Sequence, residues 1–210
     1  QPTRLVQRTG IAVALELITE LNHEHYKLVI SPAAGDEGFE YVERIKQLAG
    51  KYGLRVRFVD KMVEDPFVKP PYKKDRFSLW EVYQAADFIT YPSLYEGFGN
   101  ALLEAIYFHK PVLVNRYKIF IDDIEPKGFD LVTMDGVLTA EVVKKIQHIV
   151  NDKEQREKMV VKNYRLALRH YSYSSVRKQL ASIMPNLFQC TAAQKNSKLL
   201  AQGSHIYSRA

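Results

Sequence analysis

The stretch Tyr91-Pro92-Ser93-Leu94-Tyr95-Glu96-Gly97-Phe98-Gly99-Asn100-Ala101-Leu102-Leu103-Glu104-Ala105 constrains this chain more than any other. An apolar run at 88–91 reads as a strand, Pro92 and two glycines break it, and 101–108 resumes with helix formers at helical apolar spacing. The order is strand, glycine-rich turn, helix. Such a turn directs unpaired backbone N–H groups and the positive end of a helix at one point, where anions bind well. Glu96 lies in the turn and Glu104 about one helical turn further in. Two carboxylates beside a phosphate site make electrostatic sense when the ligand also carries hydroxyls, which carboxylates accept. Phosphate plus sugar is therefore the joint reading. Blander readings exist for the same positions. A lone loop glutamate is ordinarily solvated. A glutamate in a first helical turn complements the dipole by roughly 0.3–1 kcal/mol. An ordinary turn with an Asn100 N-cap would use the same N–H groups.

The rest of the chain alternates between strand and helix patterns. Residues 4–6 read as the tail of a strand with nothing before it, so the chain reads as a fragment beginning inside or just after its first strand. A helix is expected at 11–18, a buried strand at 26–31, a loop at 32–36, an amphipathic helix at 37–52 ended by Gly53, and an alternating strand at 54–59. A long, basic, proline-bearing loop follows at 60–77, then a helix at 78–86 opened by a Ser78/Glu81 capping box. Beyond the central stretch come a strand at 111–115, an irregular acidic loop at 116–127, a strand at 129–134, an Asp135-Gly136 turn, and helices at 139–150, 153–170 and 175–184. This order implies an α/β fold: a Rossmann-like, doubly wound, mostly parallel sheet with helices on both faces. Ligands of such sheets bind outside the carboxyl ends of the strands. The Glu96 turn lies there, and so does the turn at 4–9 if a strand precedes it.

Glu96-Gly97-Phe98-Gly99 followed by Glu104, with Pro92-Ser93 upstream and Pro111-Val112 downstream, resembles the E-x7-E motif of retaining nucleotide-sugar glycosyltransferases. More narrowly, residues 4–183 resemble the C-terminal, donor-binding domain of glycosyltransferase family 4, the glycosyl transferases group 1 domain of the GT-B fold. The resemblance implies a hexosyltransferase that moves a sugar from a nucleoside diphosphate sugar to an acceptor with retention and without a catalytic metal. It places Glu96 against the transferred sugar and Glu104 on the ribose hydroxyls. Phe98, Gly99, Asn100, Ala101 and Leu102 become donor-binding positions, acting mainly through their backbone. Arg4 matches an arginine that stabilises the leaving diphosphate. Five residues later the family has a lysine before a glycine; here Thr9 stands in that place, and Arg8 is the neighbouring cation. The acceptor site would lie on an N-terminal GT-B domain that this chain lacks, so the isolated domain is expected to bind donor and to transfer sugar slowly or not at all. Thr9 in place of lysine supports an alternative, a non-catalytic nucleotide or nucleotide-sugar binding module. A GT-B-type sugar-nucleotide epimerase is a further one.

At 210 residues the chain fits one domain with appendages: 1–184 as the nucleotide-sugar-binding domain and 185–210 as a flexible or appended tail. The single cysteine, Cys190, excludes an intrachain disulfide and suits a reducing compartment; no apolar run reaches the length of a membrane span, and the first residues do not read as a signal peptide. A cytoplasmic location is the expectation. The net charge of +6 is uneven: 17 Lys/Arg face 20 Asp/Glu over 1–140, against 10 and 4 over 141–183. The basic C-terminal helices read as a solvated face or as a contact for a membrane surface or polyanionic acceptor. The six histidines, among them His23 and His25, give no metal-ligand spacing. There is no GxGxxG or P-loop pattern either, so no metal, no cofactor and no nucleic-acid partner is expected. The basic segment 69–76 reads as a solvated loop within reach of phosphates.

Overall fold

The computed structural model describes residues 1–2, 6–21, 24–31, 38–59, 62–64 and 76–184. The expected loop at 32–36, most of the basic segment at 69–76, His23, Arg4 and the tail at 185–210 lie outside these. The chain divides into two compact units, 1–167 and 168–210.

Among its described residues the first unit carries seven strands: β1 Leu28–Ile30, β2 Val56–Phe58, β3 Val63–Glu64, β4 Phe77–Ser78, β5 Ile89–Tyr91, β6 Val112–Asn115 and β7 Val132–Met134. Among the described residues, every pairing between these strands is parallel: β1 with β2, β3 with β4, and β5 with β6 with β7. The helices are α1 Ile11–Glu20, α2 Gly38–Lys51, α3 Leu79–Ala85, α4 Asn100–Tyr107, α5 Ala140–Asn151 and α6 Lys153–Tyr171. This is the α/β class expected, with strands one to three residues shorter than the runs read from the sequence.

α1 packs in two directions. Ile11, Ala14, Leu15 and Ile18 join Leu28, Ile30, Ile45 and Leu54 in one core. Leu17 and Leu21 join Leu113, Val132, Val143, Ile146 and Met159 in another. A helix apolar on two stripes can cover two sets of strands at once. Gln1 shows where those sets approach each other. Its amine donates to the Val29 carbonyl at 2.6 Å and its carbonyl accepts from Ser31 N–H at 3.4 Å, the pattern of a parallel ladder on β1. Its side-chain oxygen accepts from the Thr90 hydroxyl on β5 at 3.4 Å. Beside Gln1 lies a cavity of about 1450 Å³, lined by Leu28 and Val29 on one side and Ile89 and Thr90 on the other.

Local signals decide several element ends. Ser78 and Glu81 form the capping box: Glu81 N–H donates to Ser78 Oγ at 3.1 Å, and Ser78 N–H donates to Glu81 Oε2 at 2.7 Å. The Thr139 hydroxyl accepts from Val142 N–H at 3.3 Å and opens α5. Of the expected loop at 60–77, residues 60–61 and 65–75 lie outside the described residues, and near its ends Val63–Glu64 and Phe77–Ser78 pair as β3 and β4. One expectation fails. The segment 116–127 is not irregular. It forms a π-turn at Phe120–Ile124 and a 3-10 turn at Glu125–Lys127. Phe120 and Ile124, four apart, are both buried, and ion pairs Lys118–Asp122 and Lys127–Asp123, each 2.6 Å, brace the outer side. Its acidity drew attention away from that apolar pair.

In the second unit, residues 173–184 are helical, and Ser172 marks the break: its hydroxyl accepts from Ser175 N–H at 3.3 Å. No described helix is long and apolar enough to cross a membrane.

Candidate functional site

Two turns meet at the carboxyl edge of the strands. The first is a 3-10 turn, Gln7–Thr9, closed by Gly10 at φ +68°. The second runs from Pro92 to Gly99 between β5 and α4. They touch main chain to main chain. Leu94 N–H donates to the Arg8 carbonyl at 2.8 Å. A Cβ on Gly10 would lie 2.4 Å from the Pro92 carbonyl oxygen, so only glycine permits this approach.

Arg8 crosses from the first turn to the second. Its Nη1 donates to the Tyr95 carbonyl at 3.2 Å and lies 3.3 Å from Glu96 Oε1, while the guanidinium sits 5.1 Å from the centre of the Tyr95 ring. Thr9 points the other way. It is buried, and its hydroxyl donates to the Val6 carbonyl at 2.6 Å. The cation at this edge comes from Arg8 and not from position 9. Arg4 lies outside the described residues.

Near Glu96 stands the Tyr91 phenol on β5. Burial, then the nearby Glu96 charge, pushes the Tyr91 pKa above its ordinary value, so the phenol stays protonated. Phe98 and Gly99 are fixed by another tyrosine. Tyr117 Oη donates to the Phe98 carbonyl at 2.9 Å, and a Cβ on Gly99 would fall 2.3 Å from that same oxygen. Gly99, at φ +104°, is the N-cap of α4, a role that Asn100 does not take. The Gly99 carbonyl accepts from Leu102 N–H at 2.9 Å. With no side chain on the cap to accept them, the amides of Asn100 and Ala101 open the helix toward the turn. Leu102 is elsewhere: its side chain is fully buried and its amide is spent on Gly99, so it faces the core.

Glu104 sits in the second turn of α4, past the reach of a first-turn dipole effect, and half-buried. Tyr83 on α3 donates to its Oε2 at 2.9 Å. Beneath the second turn, buried Asn115 ties the edge together: its Nδ2 donates to the Ser93 carbonyl at 3.1 Å and its Oδ1 accepts from Gly136 N–H at 2.7 Å. The structure thus brings Arg8, Glu96, Phe98 and Gly99 into one cluster and sets Glu104 on the adjoining helix. Tyr83, Tyr91, Tyr117 and Asn115 do not stand out in the sequence. Tyr83 reads as a helix-face residue, Tyr91 and Asn115 as parts of apolar runs, and Tyr117 as part of the acidic loop at 116–127; only the hydroxyl or amide of a buried polar side chain hints at a partner.

Among the described residues no group of three or more His, Cys, Asp or Glu is placed to hold a metal ion. The cavity beside Gln1 is not this site, since Arg8, Glu96, Gly99 and Glu104 do not line it.

Residues 2–166 match the family described as glycosyl transferases group 1. The chain is 32% identical over 152 residues to mannosylglucosylglycerate synthase from Petrotoga mobilis, a match covering 64% of this chain and 34% of the relative. The chain therefore spans about a third of that relative's length. Among solved structures it is similar to HepE from Anabaena in complex with UDP, with a TM-score of 0.70 at 17% identity over 88% of this chain and 47% of the other. It is also similar to the C-terminal domain of a glycosyl transferase group 1 family protein (LpcC) from Francisella tularensis, with a TM-score of 0.62 at 17% identity over 81% and 83% of the two chains.

Proposed function

The chain belongs to the glycosyl transferases group 1 family, and from that premise we propose that it is the donor-binding half of a retaining glycosyltransferase that uses a nucleoside diphosphate sugar. The observation that carries this reading is the convergence of Arg8 and the glycine-capped start of α4 on one turn, with Glu96 between them. An arginine and the opening amides of a helix are the groups that receive a diphosphate. Arg8 exchanges its contact with Glu96 for the phosphates, and the freed carboxylate accepts hydroxyls of the sugar. As the glycosidic bond breaks, charge grows on the departing diphosphate, and the guanidinium and helix start stabilise it more than they do the ground state. Glu104 accepts from the ribose hydroxyls. Asn100 and Ala101 supply amides; Leu102 is left to the core.

The likeness to a solved C-terminal domain supports treating residues 1–184 as one half of a GT-B enzyme, with the acceptor site on another domain. The UDP in the HepE complex supports nucleotide binding at this fold. Calorimetry with a panel of nucleoside diphosphate sugars is expected to show binding by the 210-residue chain. An assay of the same protein is expected to show slow or no transfer, whereas the full-length protein turns over. Robust turnover by the 210-residue chain would contradict the half-enzyme reading. Absence of binding by both would remove the donor site.

The inward turn of Thr9 favours a second reading, a nucleotide-sugar binding module without transfer. Binding without turnover by the full-length protein, across donors and candidate acceptors, would favour it.

A further inference from the structure

We propose that Tyr83 is the positioning residue for Glu104, holding its carboxylate in the one orientation that accepts both ribose hydroxyls of the nucleotide. The proposal rests on the reading of Glu104 as the ribose acceptor given above. A glutamate on a half-exposed helix face samples several rotamers, and gripping a vicinal diol with one carboxylate needs its plane fixed beforehand. Tyr83 provides that restraint. Its hydroxyl lies 2.9 Å from Glu104 Oε2 and 3.3 Å from the Ala101 carbonyl. Its ring is only 1% exposed and stacks on Phe108 with centroids 5.3 Å apart and planes 11° from parallel. Phe108 is the C-cap of α4, the helix that carries Glu104, so phenol and carboxylate share one rigid frame. α3, on which Tyr83 stands, is itself fixed at its start by the Ser78/Glu81 capping box.

The hydrogen bond occupies one lone pair of Oε2 and leaves Oε1 and the second lone pair of Oε2 for a ligand. Burial first, and the Glu104 charge next, raise the Tyr83 pKa well above its ordinary value. The phenol therefore stays protonated through the neutral range and can donate to the carboxylate. Tyr83 touches no substrate atom; it acts through Glu104.

The test is calorimetric titration of the 210-residue chain with UDP, GDP and ADP and with their 2′,3′-dideoxy analogues. The unmodified chain is expected to prefer a ribonucleotide over its dideoxy analogue by about 10-fold, from the strength of hydrogen bonds to a charged group. Glu104→Ala abolishes that preference. Tyr83→Phe, which keeps the ring and its stack, weakens ribonucleotide binding by about 3- to 10-fold and leaves the dideoxy affinity unchanged. Should that variant fail to fold, Phe108→Leu, which loosens the stack, is expected to shrink the same preference. A Tyr83→Phe protein that keeps the full preference, while Glu104→Ala loses it, would show that Tyr83 only fills space. Equal weakening of both nucleotides would show the same. An unmodified chain without preference, a Glu104→Ala variant that retains it, or a chain that binds no nucleotide would sink the ribose reading itself, and this inference with it.

Discussion

The strands at β1–β2 and those at β5–β6–β7 are buried very differently. In β2, Val56 and Phe58 are half-buried around exposed Arg57, and in β1 Val29 is only partly covered. Across β5, β6 and β7 every residue is buried except half-buried Thr133. A strand covered on both faces has nowhere to put a polar side chain except against another polar group. Asn115, at the carboxyl end of β6, meets that demand by bonding to the turn above it. The half with no slack is the half that builds the candidate site. The β1–β2 half tolerates alternation and supplies Arg8 through the turn before α1.

The sharpest way to break this contrast is to truncate an equivalent apolar side chain in each half. Val114, fully buried in β6, should cost about 2–3 kcal/mol on replacement by alanine. Val56→Ala in half-buried β2 should cost about 1 kcal/mol. Urea unfolding of the two variants compares them directly, and equal losses would mean the halves are packed alike.

Next in size are the glycines. Gly10 and Gly53 both have positive φ, which alone costs an alanine about 1–2 kcal/mol. At Gly53 an added Cβ meets nothing within 4 Å, while at Gly10 it strikes the Pro92 carbonyl at 2.4 Å. Gly10→Ala should therefore cost about 2–3 kcal/mol and weaken nucleotide binding, because the two turns must part. Gly53→Ala should cost less and leave binding untouched. Similar binding by the two variants would separate the turn contact from the site.

Asn115→Ala comes third. It orphans the Gly136 amide and the Ser93 carbonyl together, and a loss of about 1–2 kcal/mol is expected in the same unfolding experiment. Hydrogen exchange at residues 93–99 should quicken with it. Unchanged exchange there would show that the turn does not depend on this tie.

How far the sequence went follows the same division. Apolar runs at 88–91 and 111–115 located buried strands, and Arg55 and Arg57 alternating with Val56 and Phe58 gave away a half-wet one, because side-chain period is a direct record of exposure. The capping residues at Ser78 and Thr139 were legible for the same reason: one local hydrogen bond decides each. Phe120 and Ile124 were not, since a pair of apolar residues inside an acidic run has no period to display. At the site, Glu96, Gly99 and Glu104 stood out through their spacing. Tyr83 and Tyr117, 21 and 19 residues from their partners, could not, since nothing local marks a bond across that separation. Leu102 shows the converse failure: it shares the motif's stretch, but helical phase turns it inward.

Arg8 is expected to show the smallest effect on stability and one of the larger effects on binding. Its ion pair with Glu96 joins side chains that are 36% and 18% exposed. Such a pair contributes about 0–1 kcal/mol, because solvent screens it and two side chains must be ordered to make it. The contact that clasps the turns is the Arg8 carbonyl on Leu94 N–H, which Arg8→Ala retains. The variant should therefore unfold within about 1 kcal/mol of the unmodified chain. Loss of a charge-assisted contact to the diphosphate should lower nucleotide affinity about 10-fold, and less steeply at high salt. An unfolding loss as large as that of Asn115→Ala would make the arginine a structural tie. Unchanged affinity would show that the diphosphate does not rest on Arg8.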